Sequence, residues 1–357
     1  MKRLTSLILA FGVLLGCASP AGPAQEASAV SAGAASAPAE TTLPPATQAP
    51  RERVTILYPN QGGNQTATWL AQEAGLYQKH GLDAAVEFIE GSPTVMQALT
   101  AGNAQLAVVG TTASISAGFR GLDVVLIATA QPGLLYTLWT NGIGRVEDLR
   151  GKRIASGRIN TDPDFALRLL LDRVSLRYNE DVAVVHVDAG GEPARIAAVQ
   201  GGSADALMLS QGNSARVRQL GYLPLVDLVA ERIPYEAATV VTTRAYATSK
   251  PHAVRAFVRA FVEAIALAKR DRPRVMEVYR QYARLDDPAV ADEWYDVYVD
   301  KVFPRAPYVS AAGVQTVLDL LAQTEPQAAS ATPEQYIDNR YVRELEDSGF
   351  IEQLYAR

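Results

Sequence analysis

The sequence has very little of the side chains that carry most enzyme chemistry. Its 357 residues include one cysteine and three histidines. A single cysteine excludes an internal disulfide, and His80, His186 and His252 are scattered along the chain. No HExxH, GxSxG or Walker A pattern occurs. We therefore expect no enzyme activity, no metal site and no cofactor.

Positive charge and long apolar runs are also lacking. The formal net charge is −5, with 33 Lys and Arg against 38 Asp and Glu, and such a balance argues against nucleic acid as a partner. The apolar run Leu4–Leu15 is shorter than the roughly 18 residues that span a bilayer. It follows Lys2 and Arg3, as in a secretory signal peptide.

The end of this run carries the only cysteine. The residues from Leu14 to Cys17 resemble the bacterial lipobox, in which cleavage precedes a cysteine that becomes lipidated. We predict a lipoprotein signal peptide over residues 1–16 and lipidation of Cys17; the alternative is an ordinary secretory signal with an incidental cysteine. Residues 17–50 are nearly all Ala, Pro, Ser, Gly, Thr and Gln, a composition that predicts a disordered tether. The folded body is then expected in the periplasm or at the cell surface, anchored to a membrane.

The body of the chain contains a repeat. Ser92–Gly110 aligns without gaps with Glu192–Ser210, 100 positions later. Each copy has an early proline, an apolar-faced helix, a glycine stop and an apolar strand, and each follows a strand-like run. Strand, helix and strand in this order predict a βαβ unit. Two such units predict two similar α/β lobes with a cleft between them.

The pattern along the body predicts the order of the lobes. We expect residues 51–140 to form the first part of lobe 1, residues 141–236 to form lobe 2, and residues 237–357 to return to lobe 1. The return begins with a strand over 238–243 and continues as helices. The two hinges between the lobes are expected near 131–144 and 236–244. The aromatic side chains of this tail are interpreted as core packing and not as a ligand cage; they are Tyr279, Tyr282, Trp294, Tyr295 and Tyr298.

Candidate ligand-binding residues follow from the position of the strands. In open α/β sheets, ligands bind beyond the carboxyl ends of the strands, where loop amides and helix N-termini meet. The residues there are mostly neutral and polar, which suits a small polar solute, although such residues also cap helices and turns. The candidates are Asn60, Gln61, Ser92, Thr111, Thr112, Gln131, Arg158, Asn160, Thr161, Glu192, Ser210 and Gln211.

The charged candidates have two interpretations each. Arg158 is either a solvated surface residue or a bidentate partner for a carboxylate or sulfonate. Glu192 either caps its helix, favoured by the helix dipole, or binds an amino group of a ligand. Asp162 precedes Pro163 and is interpreted as a helix N-cap.

Four segments resemble the nitrate/sulfonate/taurine (NMT1/THI5-like) group of periplasmic solute-binding proteins: Gly75–Asp83, Ala101–Ala107, Val146–Ala155 and Val254–Phe261. The resemblance implies an α/β, two-lobed type II periplasmic-binding-protein fold with a discontinuous first lobe and a helical C-terminal tail. It also implies a monomer that captures a sulfonate, nitrate, aromatic acid or pyrimidine-type solute and delivers it to an ABC permease with its ATPase. Two other functions remain open: presentation of a ligand to a membrane sensor, and catalysis similar to that of a fungal thiamine-pyrimidine synthase, whose Cys-rich motif is absent here.

Overall fold

The computed structural model describes residues 51–159, 161–187, 191–230 and 233–356. The predicted signal peptide, the tether, Cys17 and Asn160 lie outside the described residues. Within those residues, no helix has both the length and the hydropathy needed to cross a bilayer.

The first part of the body alternates strands and helices, as an α/β lobe requires. Pro93 stands in the first turn of its helix, where a missing N–H costs nothing. The elements are β1 (Glu52–Tyr58), α1 (Thr66–Glu73), α2 (Leu76–Lys79), β2 (Leu82–Phe88), α3 (Ser92–Thr100), β3 (Leu106–Gly110), α4 (Thr111–Phe119) and β4 (Val124–Pro132).

The second part repeats this alternation. Pro163 again lies in the first turn of a helix, but the N-cap of that helix is Thr161, one residue before the predicted Asp162. The elements are β5 (Tyr136–Thr140), β6 (Arg153–Ser156), α5 (Asp162–Arg173), β7 (Ala183–His186), α6 (Gly191–Gln200), β8 (Ala206–Ser210), α7 (Ser214–Gln219) and β9 (Leu223–Asp227).

The last part is one strand followed by helices. α9 buries an apolar stripe made by Val254, Phe257, Val258, Phe261 and Ile265, at the spacing of three and four residues that one helix face requires. The elements are β10 (Glu236–Thr243), α8 (Arg244–Ser249), α9 (Pro251–Ala268), α10 (Arg272–Ala283), α11 (Pro288–Trp294), a π-helical segment (Tyr295–Val302), α12 (Ala311–Leu321), α13 (Arg340–Asp347) and α14 (Phe350–Tyr355).

The strands form two sheets of the same design. Their orders are β2-β1-β3-β10-β4 and β7-β6-β8-β5-β9. In each sheet the first three strands are parallel, and the fourth is antiparallel and is the first strand after a crossover between the sheets. The chain therefore passes between the lobes twice, which confirms the two-lobed fold and the discontinuous first lobe. The two copies of the repeat, with α3 and β3 in one and α6 and β8 in the other, occupy equivalent places in the two sheets.

The sheets differ from the sequence prediction at the first crossover. β5 pairs with β8 and β9, so the chain enters the second sheet at Tyr136, before the predicted boundary at residue 140. The second crossover ends where β10 begins, and β10 is paired along its length within the first sheet. The segments between the sheets are thus 133–135 and 228–235. The predicted hinge over 236–244 was placed too late, because a strand with partners on both sides is not a flexible connection.

Candidate functional site

The lobes meet through the loops that follow their strands. Arg158, in the loop after β6, reaches Gly91, the residue before α3. A Cβ atom on Gly91 would lie 2.5 Å from Nη2 of Arg158, and the φ of Gly91 is +90°, so only glycine fits there. These loops are at the carboxyl ends of parallel strands, the place where α/β sheets bind ligands.

Three side chains of lobe 1 are buried here without a hydrogen-bond partner among the described residues. Asn64 is 8% exposed, Thr112 is 3% exposed and Gln131 is 7% exposed. Ala238 of β10 lies between Gly110 and Gln131, and Thr112 follows Gly110 by two residues, so Thr112 and Gln131 lie at the same edge of the sheet on either side of β10. Buried polar groups are almost always hydrogen-bonded. Unpaired groups at one edge of a sheet are therefore available to a solute.

Lobe 2 contributes a further hydroxyl that has no hydrogen-bond partner among the described residues. Ser156 ends β6, and its Oγ is buried there. Thr112 and Gln131 are predicted site residues. Asn64 follows β1 and Ser156 ends β6, so both lie at strand ends, but neither was among the predicted residues.

Arg158 supplies a positive charge to this site. Its guanidinium forms no hydrogen bond or ion pair with the described residues, and it lies beside the N-terminus of α3. The N-terminus of a helix carries partial positive charge, so a cation there is unfavourable unless an anion lies near both. The arrangement suits an anionic group of a solute.

Ser92 and Glu192 begin equivalent helices and make equivalent bonds. Ser92 Oγ accepts a hydrogen bond from the backbone N–H of Gly110 at 3.3 Å, and Glu192 Oε1 accepts one from Ser210 at 2.8 Å. Each bond fastens the start of the helix to the end of the next strand. Glu192 also accepts a hydrogen bond from Asn213 and forms an ion pair with Arg195 at 3.3 Å.

The other predicted residues have partners within the protein. The pairs are Asn60 Oδ1 with Gly62 N (2.9 Å), Gln61 Nε2 with Tyr282 O (2.8 Å), Thr111 Oγ1 with Thr239 Oγ1 (3.2 Å), Thr161 Oγ1 with Arg158 O (2.6 Å), Gln211 Nε2 with Asp227 (3.2 Å), and the Ser210 side chain with Tyr298. These side chains are near the strand ends, but each would have to exchange a bond to contact a solute.

Two aromatic residues that the sequence assigned to core packing also lie beside these loops. Trp294 and Tyr298 belong to the core of lobe 1, as predicted, and they also contact Gly212 in the loop after β8. Burial raises the pKa of Tyr298, nearby Glu192 raises it further, and the hydrogen bond with Ser210 opposes both. No local pattern marks these residues, because the contact joins segments far apart in the sequence.

Two carboxyl groups lie where the chain passes between the lobes. Asp162 Oδ1 accepts a hydrogen bond from the hydroxyl of Tyr235 at 3.0 Å, and desolvation raises the pKa of Asp162 to about 7. Glu236 accepts hydrogen bonds from the Thr129 hydroxyl at 2.7 Å and from Ser310 N at 2.8 Å. Burial raises the pKa of Glu236 to about 8. Tyr235 and Glu236 thus fasten the second crossover to both lobes.

Comparison with known proteins identifies the family. A family model described as NMT1/THI5 like matches residues 63–273, which include strands of both sheets. The chain belongs to the NMT1/THI5-like family. Binding proteins of Brucella abortus and Brucella suis are 29% identical to it over 149 residues, which are 42% of this chain. The match spans 46% of the length of those relatives.

Solved structures share the fold of this NMT1/THI5-like chain. SsuA, the periplasmic aliphatic sulphonate binding protein of Escherichia coli, is 20% identical with a TM-score of 0.65, covering 81% of this chain and 92% of its own. SsuA of Xanthomonas axonopodis, an alkanesulfonate-binding protein bound to MOPS, is 21% identical with a TM-score of 0.61, and the match covers 77% of this chain and 94% of SsuA. NrtA of Synechocystis, a periplasmic nitrate-binding protein, is 12% identical with a TM-score of 0.67, and the match covers 84% of this chain and 89% of NrtA. These likenesses confirm the periplasmic-binding-protein fold.

The described residues of the NMT1/THI5-like chain contain no group of three or more His, Cys, Asp or Glu side chains that could hold a metal ion. Two of its histidines are part of internal networks. His80 Nε2 lies 2.7 Å from Glu263, and His186 lies 2.8 Å from Gly157 O and 3.2 Å from the Tyr178 hydroxyl. His186 therefore supports the loop that carries Arg158.

Proposed function

We propose that the chain is the solute-binding component of an ABC-type import system and binds a small solute with an oxyanion group between its lobes. The fold and the family support this proposal, since the similar structures are named as sulfonate-binding and nitrate-binding proteins. The solute is of the sulfonate, nitrate or aromatic acid type, and a pyrimidine-type solute is the alternative that the screen below separates from it. Binding is the whole function, without catalysis.

The observation that carries the proposal is the unpaired guanidinium of Arg158 beside α3. An arginine presents parallel N–H donors that match two oxygens of a sulfonate, nitrate or carboxylate. In the first turn of α3, Pro93 has no N–H, and Thr94 N and Val95 N donate to Gly91 O at 3.0 and 3.2 Å, so the backbone N–H of Ser92 is the donor that this turn offers on the lobe 1 side. An anion held by both lobes would relieve the repulsion between Arg158 and the helix terminus.

The neutral groups complete the site. The side chains of Asn64, Thr112 and Gln131 of lobe 1 are at most 8% exposed, and the Ser156 hydroxyl of lobe 2 is buried; none of the four has a hydrogen-bond partner among the described residues. Their amides and hydroxyls both donate and accept, so they can hydrogen-bond the remaining polar atoms of a small solute. Contacts from both lobes make binding depend on closure of the lobes around the solute.

The cellular setting is part of the same proposal. Lipidation of Cys17 would anchor the protein to a membrane, and residues 17–50 would let the body move near the surface in the periplasm or outside the cell. A monomer in this position delivers its solute to a membrane permease driven by an ATPase. The partners are then the solute, the permease and the membrane, with no nucleic acid.

The test is a thermal-unfolding screen, because a ligand that binds the folded state raises the melting temperature. The probes are sodium nitrate, methanesulfonate, MOPS, benzoate and uracil. We expect at least one of the oxyanions to raise the melting temperature. Arg158→Gln is expected to weaken binding of that probe at least tenfold in calorimetry, since hydrogen bonds to charged groups contribute about 1.5–3 kcal/mol.

Arg120→Gln is the matched control. Arg120 is exposed at the end of α4, away from the strand ends, and its loss is expected to leave affinity unchanged. Equal affinities of Arg158→Gln and the unmodified protein for the probe would contradict the assigned role of Arg158. A screen in which uracil alone raises the melting temperature would contradict the proposal that the solute carries an oxyanion group.

A further inference from the structure

The C-terminal tail reaches into the space between the two lobes. The ring of Tyr298, in the π-helical segment, packs directly on Gly63 in the loop after β1. A Cβ atom on Gly63 would lie 2.1 Å from Cδ2 of Tyr298, so no other residue fits there without displacing the ring. Tyr298 is 5% exposed.

The same stretch of the tail also contacts lobe 2. A Cβ atom on Gly212 would lie 2.7 Å from Cδ1 of Trp294 and 3.2 Å from Cε2 of Tyr298. Glu293 Oε2 accepts a hydrogen bond from the backbone N–H of Ala215 at 2.9 Å. Gly212 and Ala215 bracket the start of α7. The contact is close because lobe 2 presents backbone, without a side chain, to the two rings.

The tail is firmly attached to lobe 1. The rings of Trp294 and Tyr279 pack edge to face with centroids 5.4 Å apart, and the Tyr279 hydroxyl lies 3.1 Å from Thr66 Oγ1 of α1. The Tyr295 hydroxyl donates to Ala268 O of α9 at 2.9 Å. Glu293, Trp294 and Tyr298 therefore move with lobe 1, although they follow lobe 2 in the sequence.

We infer that Glu293, Trp294 and Tyr298 form a docking platform on lobe 1 that fixes how closely lobe 2 can approach, and that Gly212 is the positioning residue that seats on it. The inference rests on the proposed function in one respect: the separation of the lobes matters because the solute is held between them. π-helical turns occur frequently at functional sites. The platform makes the tail part of the closing mechanism.

Gly212→Ala is the direct test. Gly212 does not have a positive φ, so alanine adds a methyl group without backbone strain. The methyl would meet Trp294 and hold the lobes apart. Gly144→Ala is the matched control, because Gly144 also lacks a positive φ and a Cβ there would meet nothing within 4 Å.

The separation of the lobes can be measured without a solute. Cys17 is the only cysteine, so the Cys17→Ser chain accepts nitroxide labels at two introduced cysteines. Asn103→Cys and Ser203→Cys place them in the matching exposed turns of the two repeat copies. We expect Gly212→Ala to give a longer mean distance between the labels in pulsed electron resonance, and Gly144→Ala to leave the distance unchanged.

Two further variants keep the test decisive. Trp294→Ala removes the Cδ1 and Nε1 atoms that the methyl would meet, and Nε1 has no hydrogen-bond partner among the described residues to lose. It is expected to restore the distance in the Gly212→Ala background. Glu293→Ala removes the bond to Ala215, and we expect it to broaden the distance distribution even if Gly212→Ala fails to fold.

Three results would overturn the platform: an unchanged distance in Gly212→Ala, no restoration by Trp294→Ala, or an unchanged distribution in Glu293→Ala. The distances are measured without solute, so they are independent of the probe screen. A longer distance in Gly212→Ala together with no binding by any probe would support the platform and contradict the proposed function.

Discussion

One position of the repeat carries a hydroxyl in lobe 1 and a carboxylate in lobe 2. Ser92 and Glu192 both fasten a helix start to the end of the next strand. The charge of Glu192 is matched by Arg195, which is itself buried and donates to Met208 O. The negative charge is therefore used within lobe 2. Ser92 and Glu192, at equivalent places in the two lobes, therefore share a structural role. The positive charge of Arg158, by contrast, has no ion-pair partner among the described residues.

The carboxyl group of Glu236 makes stability depend on pH. Its pKa is raised from 4.5 to about 8 by burial, so the folded state favours the protonated form. That contribution is complete below about pH 4.5 and is lost as the pH rises to about 8, with a slope of up to ~1.4 kcal/mol per pH unit. The free energy of unfolding is expected to fall over this range.

Glu236→Gln resembles the protonated carboxyl and cannot ionise. Its amide can accept from Ser310 N and donate to the Thr129 hydroxyl. In urea denaturation we expect a flatter dependence on pH than in the unmodified protein, with the largest gain in stability near the alkaline end of the range. Glu87→Gln, on an exposed position of β2, is the control and should keep the original slope. The same slope in both variants would contradict the role of Glu236.

At the scale of elements, α9 shows how a local pattern becomes a core. Its apolar stripe packs against α1 and α2, and the rings of Phe257 and Phe261 stack with centroids 6.0 Å apart. The ring of Phe257 also stacks on Tyr77 of α2 at 5.6 Å. The helix that follows the second crossover thus closes the core of the lobe in which the chain began.

Phe261→Ala is expected to destabilise the protein by about 3–5 kcal/mol, because it removes a fully buried ring and leaves a cavity. The midpoint of chemical denaturation measures this loss. Phe88→Ala provides the comparison, since Phe88 is 44% exposed at the end of β2 and its loss removes less buried surface. Similar losses in the two variants would show that α9 is not part of the cooperative core.

The main strands and helices follow from local patterns, but their partners do not. Apolar runs, early prolines and glycine stops predicted both copies of the repeat and the returning strand β10. The apolar run of β5 predicts a strand but does not say which sheet it joins. Its pairing with β8 depends on the folded arrangement of segments that are far apart in the sequence. The boundary at residue 140 was wrong for that reason.

The candidate site likewise combines features that local sequence patterns predict with features that only the whole fold determines. The rule that ligands lie beyond strand ends selected Thr112, Gln131 and Arg158, whose side chains have no partner within the part of the chain that the structure describes. It could not exclude Gln61 and Gln211, because their partners Tyr282 and Asp227 come from other elements. The platform residues Trp294 and Tyr298 were interpreted as core, since only the folded chain brings them to Gly212.

At the scale of the whole molecule, the anchor and the solute site are expected to be independent. The residues proposed to bind a solute are all in the body, and the predicted anchor precedes it. Cys17→Ser should move the protein from the membrane fraction to the soluble fraction and leave its affinity for the bound probe unchanged. Ser28→Ala, which alters the tether and keeps the cysteine, should stay with membranes. Membrane association of Cys17→Ser would contradict lipidation at this residue.

The position of β10 also sets an order of events during synthesis. Lobe 2 has all its strands once β9 has been made, whereas β4 of lobe 1 has no sheet partner until β10 inserts between β3 and β4. Chains fold from the N-terminus as they emerge. The lobe that starts first therefore finishes last, and an exported chain would expose the unpaired edges of β3 and β4 until the second crossover has passed. A helper protein that shields a partly made sheet would act in that interval.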